Sequence, residues 1–499
     1  MLKSSVLVTL LSLANVVINF ISSLVVAYYF GASQERDLYF AAISIPTYFS
    51  ALFTGSVSSL VLPVLSRFKL SSSAYEFRSV FNSMFVICGA GLLALVLGVL
   101  LFAPQVISLA APGFTSAETA KTSLLLKILI FSLPTQALFT FTINLYHINR
   151  RFLRAALAPV IGVAVNIAAV VIFYHILGIA SVAVGYVAGS FVSLLVVSPI
   201  ALKSFRRSHR LSFRNREALL LLKSSLPLIA SGMIFRSTTL IERVIASGLP
   251  DGSISYLGYS NQLMLVMATL VSGGIATTFF PAMADAWAKQ DRKLLSDYAS
   301  KAVITIAMLL APIILLMLSA GEFIISFVFE RGAFTHRDVV GVTCALKILM
   351  GALVFGSLGN IVSKIFYLTG RTVALSVIAI LELATYIITS LALTSDFSYL
   401  GLSIGLSISS AVNIIISVCY LQRNFQVFAF RTFAKPLLQL FFTFLLALGI
   451  AVIFHFSGYL LNSLLHVVIY FSLILAPFMV LFLENLKPDL LRKMKSNFK

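Results

Sequence analysis

Charged side chains are scarce here: 11% of 499 residues, where a soluble globular chain carries about a quarter. Acidic residues are the rarest, 17 Asp and Glu against 36 Lys and Arg. This excludes a water-facing surface over most of the chain. Cysteine occurs three times, as Cys88, Cys344 and Cys419, all in apolar segments at unrelated spacings. That pattern excludes a disulfide framework and a thiolate metal site. The six histidines are scattered, with no i, i+4 ligand pair. Long polar stretches are missing as well. No loop between apolar segments exceeds roughly 20 residues, so no soluble domain is available for a nucleotide or a catalytic centre. GxxxxGK[ST], HExxH and GxSxG are all absent. The chain therefore reads as a transporter and not an enzyme, with no cofactor. Its energy would come from an ion gradient (a proton or another monovalent cation), the membrane potential or the substrate gradient.

What is present is apolar length. The sequence is 60% hydrophobic with a mean hydropathy of +1.03, and runs of about 20 apolar residues recur throughout. The reading is an all-α integral membrane protein of about fourteen transmembrane helices. The spans are placed near 5–29, 38–66, 79–103, 122–146, 154–176, 178–202, 224–248, 256–284, 302–328, 339–363, 372–394, 399–421, 433–456 and 459–483. The first is too long for a cleaved signal peptide and lacks a small-residue cleavage site. An even count puts both termini on one side.

The formal charge of +19 is distributed as a topology signal and not as a nucleic-acid footprint. With the N-terminus in the cytoplasm, all but eight of the 36 Lys and Arg fall at cytoplasmic ends. The densest loop holds Lys203, Arg206, Arg207, Arg210, Arg214, Arg216 and Lys223. Four cations fall outside (Arg36, Lys121, Arg331, Arg337) and four within spans (Lys127, Arg236, Arg243, Lys347). Attraction to anionic lipid accounts for the basic loop, and no nucleic-acid partner is expected.

An internal repeat organises the chain. LPVLSRF (62–68) is answered by FPAMADA (280–286), APGFT (111–115) by RGAFT (331–335), LKILI (126–130) by LKILM (346–350), and LGIA (177–180) by LGLS (400–403). Four ordered matches at offsets of 218 to 223 imply two parallel six-helix lobes. These are an N-lobe at 1–202 and a C-lobe at 224–421, joined by a basic cytoplasmic linker at 203–223. Two extra helices and a basic cytoplasmic tail follow at 422–499. Transporters built from such repeats bind substrate near the midplane and rock one half against the other.

Charges inside spans are the candidate site. Arg236 lies about 20 Å along its helix from Lys223, close to mid-bilayer, and Arg243 follows two turns later on nearly the same face. A charge there costs roughly 3 kcal/mol on insertion scales, so it faces a cavity or a partner. Two guanidinium forks in one stripe match a dianion such as a diphosphate. Glu242 points about 100° away from its neighbour Arg243 and about 120° from Arg236, so pairing within the helix looks poor. A cross-helix partner such as Lys127 or Lys347 is the alternative, and a purely structural ion pair is another. Lys127 and Lys347 occupy equivalent places in the two halves, where snorkelling would also suit them. Glu382, in mid-span, is a coupling candidate. Asn15, Asn19 and Asn413 could line a cavity or bind helices together. The inventory leans positive, which favours an anionic substrate with a large apolar portion over a cationic drug.

Several motifs resemble the MurJ/MviN (mouse virulence factor) family of lipid-linked glycan flippases, within the multidrug/oligosaccharidyl-lipid/polysaccharide transporter superfamily. They are FGASQERD (30–37), APGF (111–114), NRRFLRAALAPVIGVAVN (149–166), FERGAFT (329–335) with Asp338 close behind, and GLSIGL (401–406). The resemblance implies two six-helix lobes with a polyprenyl groove on the last two helices. It also implies a functional aspartate at Asp37 and a polyprenyl-diphosphate-linked glycan as substrate. Where lipid II flippases carry cavity arginines and an Asp-Arg pair, this sequence has Val16, Ser22, Ser50 and Asn261–Gln262. Glu242–Arg243 resembles an acidic-Arg pair of relatives tied to other polysaccharides. The favoured expectation is therefore a flippase for an undecaprenyl-diphosphate-linked oligosaccharide of exopolysaccharide or surface-glycan assembly. Lipid II of peptidoglycan synthesis is the alternative, and a cation-coupled drug exporter is the alternative of another class. The substrate residues would be Arg236, Arg243, Lys127, Lys347, Asn15, Asn19, Asn261 and Gln262, with Glu242, Glu382 and Asp37 coupling or gating. The expected setting is the bacterial inner membrane, with both termini cytoplasmic, as a monomer among membrane lipids and glycan-assembly proteins.

Overall fold

A computed structural model describes residues 2–71, 74–149, 151–206, 232–234, 236–428, 436, 438–449 and 472–481. Among them the regular structure is helical throughout, and ten helices are long and apolar enough to cross a membrane. The expected spans at 224–248, 433–456 and 459–483 lie partly outside the described residues, as does most of the basic 203–223 linker. The chain packs as two compact units. Residues 1–256 and 329–338 form the first, and residues 257–328 and 339–499 the second.

The first unit holds α1 (Leu2–Phe30), α2 (Gln34–Ser71), α3 (Ala74–Leu101), α4 (Ala103–Ala110), α5 (Ser116–Leu129), α6 (Ser132–Ile148), α7 (Phe152–Leu177) and α8 (Ala180–Arg206). Residues 236–246 are also helical, and the first turn of α9 (Ser253–Ala268) completes the set. The fourth expected span is two helices. Pro134 lacks the N–H that would bond to Ile130, and the chain tightens there through Leu133 N–H to Ile130 O at 3.1 Å. The outer loop expected at 104–121 contains α4, which starts beside Pro104, where the missing N–H costs nothing. Leu126, Leu129, Ile130 and Leu133 centre the core and are fully buried.

The second unit continues α9 through a π turn at Thr269–Gly273 into α10 (Gly274–Ala288). It then adds α11 (Arg292–Phe329), α12 (His336–Leu368), α13 (Thr372–Phe397) and α14 (Tyr399–Phe425). Lipid tails are as apolar as leucine, so helices associate through close packing of small residues and not through water exclusion. Gly162 and Gly189 bring α7 and α8 together, and Gly401 and Gly405 do the same for α13 and α14.

Local geometry recurs at positions 220 residues apart. Thr115 and Glu118 form a capping box on α5. Thr335 and Asp338 make the matching contacts at the start of α12, with Thr335 N–H donating to Asp338 Oδ2 at 2.9 Å. The α7–α8 and α13–α14 connectors turn at Gly178 (φ 51°, ψ −135°) and Ser398 (φ 51°, ψ −136°). That region is comfortable for glycine and costs other residues about 1–3 kcal/mol. Glycine's extra freedom in the unfolded chain returns only about 0.5–1 kcal/mol. Ser398→Gly should therefore raise stability by roughly 1 kcal/mol, and Gly178→Ser should lower it. A Cβ at Gly178 meets no atom within 4 Å, so its cost is backbone alone. Thermal denaturation of both purified variants in detergent checks the opposite signs.

Candidate functional site

Three of the sequence motifs, FGASQERD, APGF and FERGAFT, meet at one end of the first unit. Gly31, at φ 57°, lies so close to the chain at Ala333 that a Cβ would overlap the Ala333 carbonyl. Gly332, at φ 62°, stands in the same relation to Tyr28 O, and Ala333 N–H donates to Tyr28 O at 2.8 Å. FERGAFT thus seats its backbone on the end of α1. Gly113 of APGF approaches Gly248 just as closely, and its N–H donates to Ser247 Oγ at 3.0 Å. These contacts run backbone to backbone, which is why the motifs carry glycine at those positions.

Asp37 sits at the centre. It stands in the first turn of α2, just outside the 38–66 span, and is only 5% exposed. Its carboxylate accepts from Gly252 N–H at 2.6 Å, from Ser255 N–H at 2.7 Å and from the Ser255 hydroxyl. Gly252 immediately precedes α9 and Ser255 lies in its first turn, where N–H groups have no partner within their own helix. A distant carboxylate thus caps α9 and meets the positive end of its dipole. Burial pushes the Asp37 carboxyl up to about 6. The Ser255 hydroxyl, the Gly252 and Ser255 N–H groups and the Arg243 charge oppose that rise without cancelling it.

The surroundings are ionic and aromatic. Arg243 is 5% exposed, and its Nη1 lies 3.1 Å from Glu242 Oε1 and donates to Ile254 O at 3.1 Å. This corrects the sequence geometry, in which adjacent residues diverge too far to pair. The flexible arginine arm swings back across the interval between the two Cβ atoms. The Arg36 and Arg243 guanidinium groups lie 4.1 and 5.4 Å from the centre of the Phe40 ring. Nearby, Tyr256 donates to Asp338 Oδ1 at 3.3 Å, and Gln34 Nε2 donates to Glu118 Oε1 at 2.8 Å.

A second feature of the first unit is a cavity of about 360 Å³ among α1, α2, α6, α7 and α8. Asn15, Asn19, Gln136, Asn166 and Tyr186 are among the residues lining it, and no charged side chain among the described residues does. Asn19 Nδ2 donates to Asn15 O at 2.7 Å. Ser50 donates to Gln136 Oε1 at 2.7 Å, and Gln136 Nε2 donates to the Tyr186 hydroxyl at 2.9 Å.

Of the expected site residues, Asn15 and Asn19 share this cavity, while Asp37, Glu242 and Arg243 share the first cluster. Arg236 is exposed on the 236–246 helix, and Lys127 is exposed in the last turn of α5. Neither lines the cavity. In the second unit, Lys347 is half-buried on α12 near Gly321, and Asn261 and Gln262 are half-buried on α9. Glu382 on α13 accepts from Asn413 Nδ2 of α14 at 2.6 Å. Gln136, Asn166, Tyr186, Gly252 and Ser255 were not singled out by sequence. Asn166 closes one of the resemblance motifs, and that was its only signal.

Comparison with known proteins follows the same lines. A family model described as lipid II flippase MurJ matches residues 26–472. A probable lipid II flippase MurJ of Buchnera aphidicola subsp. Baizongia pistaciae is 23% identical over 470 residues, covering 89% of each chain. Among solved structures, a lipid II flippase MurJ in an inward closed conformation superposes with a TM-score of 0.83 at 20% identity. It covers 97% of this chain and 100% of that one. An inward-facing multidrug resistance MATE family transporter of the MOP superfamily reaches 0.68 at 14% identity, covering 83% and 94%. These two likenesses establish the fold.

Proposed function

The chain belongs to the lipid II flippase MurJ family, and from that premise we propose that it carries lipid II from the cytoplasmic to the outer leaflet by alternating access. The observation that carries this reading is the match of the family across residues 26–472. The relatives described above are named for lipid II, so that alternative takes precedence over the exopolysaccharide unit. The chain is a multi-pass protein of the bacterial inner membrane, and both termini are assigned to the cytoplasm on the charge distribution. In this reading the Asp37 cluster is the outer gate, which separates the transport path from the outer solution when formed. Glu242 and Arg243 brace that gate, and Arg236 is the candidate contact for the diphosphate. Lys127, Lys347, Asn261 and Gln262 are further contacts along the path, and Glu382 with Asn413 is the candidate coupling site for a proton or monovalent cation.

Complementation tests the substrate directly. Expression of the chain should restore growth to cells depleted of their own lipid II flippase. Removal of its gene should make lipid II accumulate, as read by mass spectrometry of extracted polyprenyl lipids. Accumulation of a different lipid-linked glycan, with no rescue, would return the assignment to exopolysaccharide or surface-glycan export.

A further inference from the structure

We propose that the cavity among α1, α2, α6, α7 and α8 is a subsite for an uncharged saccharide, and that it receives a sugar ring of the transported lipid. The second clause rests on the function proposed above; the first stands on the cavity itself.

Charge decides what the cavity rejects. Among the described residues no Asp, Glu, Lys, Arg or His lines it, and an ion between membrane helices needs a partner of opposite sign. Phosphate, carboxylate and ammonium groups are therefore poor occupants. Polarity decides what it accepts. Four amide side chains, Asn15, Asn19, Gln136 and Asn166, converge on it, where an apolar lining would be cheaper. Their hydrogen bonds leave both kinds of capacity unused. Tyr186 receives Gln136 Nε2 on its oxygen, so its own O–H is available to donate. Asn166 Oδ1 is buried and accepts no hydrogen bond. A ligand that donates and accepts at neighbouring positions fits this set, which is the pattern of ring hydroxyls and acetamido groups. Tyr186 and Phe139 add aromatic surface for the apolar C–H face of a pyranose.

Size and rigidity agree. A volume of about 360 Å³ sits at the lower end of small-molecule sites, roughly 300–1,000 Å³, which suits one or two sugar rings but not a whole glycopeptide headgroup. The α7–α8 wall is packed backbone against backbone. A Cβ at Gly162 would already overlap Gly189 O and Ser193 Oγ, and Ser193 donates to Ala158 O at 3.0 Å. The site is built before the ligand arrives.

Two probes on the purified full-length protein test this. Native mass spectrometry compares undecaprenyl diphosphate with undecaprenyl diphosphate bearing one N-acetylhexosamine. The glycosylated lipid should bind about tenfold more tightly, and Asn166→Leu should erase that preference while leaving the bare lipid unaffected. Separately, maleimide labelling of Ser190→Cys, in a background with Cys88, Cys344 and Cys419 replaced by Ser, should be slowed by millimolar diacetylchitobiose. Equal binding of the two lipids together with no protection at position 190 would overturn the subsite. Protection by the disaccharide with neither lipid bound would keep the saccharide site and sink the lipid-linked reading. Failure of both lipids and of protection would remove both.

Discussion

Asp37→Asn is expected to abolish transport while protein abundance holds, because the change opens the proposed outer gate and leaves the helices standing. The carboxylate takes three hydrogen bonds from Gly252 and Ser255. An asparagine oxygen can keep the Ser255 bonds, but its NH₂ then faces the Gly252 N–H, donor against donor. A protonated carboxyl can still turn an oxygen lone pair to Gly252, whereas the amide leaves both that N–H and its own NH₂ as orphaned buried donors, at about 1–3 kcal/mol each. The closed arrangement should lose roughly that much. Hydrogen–deuterium exchange over residues 249–258 reads it directly, as faster exchange in Asp37→Asn than in the native chain at pH 7. Unchanged exchange with full complementation would remove Asp37 from the gate.

The pH dependence has a definite sign. Asp37 is pushed up to about 6 in the closed arrangement, against an ordinary 3.8 once the carboxyl meets water. The closed form therefore binds the proton more tightly, and acidification through pH 6 favours closure. As pH rises through 6 the gate must hold a buried charge and yields more readily. The full swing is on the order of 100-fold in the open–closed ratio. Exchange over 249–258, corrected for intrinsic rate, should slow between pH 7.5 and 5 in the native chain and stay flat in Asp37→Asn.

The gate also marks where sequence reasoning reaches and where it stops. Bilayer thickness fixes the length of apolar runs, so the spans around α1, α7, α8, α13 and α14 were legible to within a few residues. The α5–α6 break and the π turn at Thr269–Gly273 were not, since each is a local departure inside an apolar run of ordinary length. Asp37 was visible as a motif aspartate. Its partners were not, because two of its three bonds go to backbone N–H groups more than 200 residues away, and any residue except proline supplies those. The cavity was half visible. Asn15 and Asn19 stood out in an apolar span, whereas Gln136, Asn166 and Tyr186 were hidden by attention to charge. Helical period alone places Arg236 and Arg243 on one stripe. Arg243 turns instead to Glu242 and Ile254 O, which no periodicity encodes.

Glu242 and Arg243 should therefore behave as a unit. Removing one partner of a buried ion pair leaves an uncompensated charge and costs about 3–5 kcal/mol, whereas removing both can be close to neutral. Glu242→Gln takes the adjacent carboxylate from the buried guanidinium and leaves it Ile254 O, the Phe40 ring and the more distant Asp37 charge. Arg243→Gln removes the guanidinium 3.1 Å from the carboxylate and also withdraws a positive charge that favours ionised Asp37. Each single variant should accumulate poorly and melt early. The Glu242→Gln/Arg243→Gln double variant should recover most of the lost stability, so a double-mutant cycle should give a coupling of at least about 5 kcal/mol, well above the usual range of about 0.5–3. Transport separates the roles. If the pair braces the gate, the double variant transports near the native level once its abundance is matched. If Arg243 contacts the diphosphate, transport stays low however stable the protein becomes. Additive losses in the cycle would break the pairing argument and leave Glu242 with a coupling role of its own.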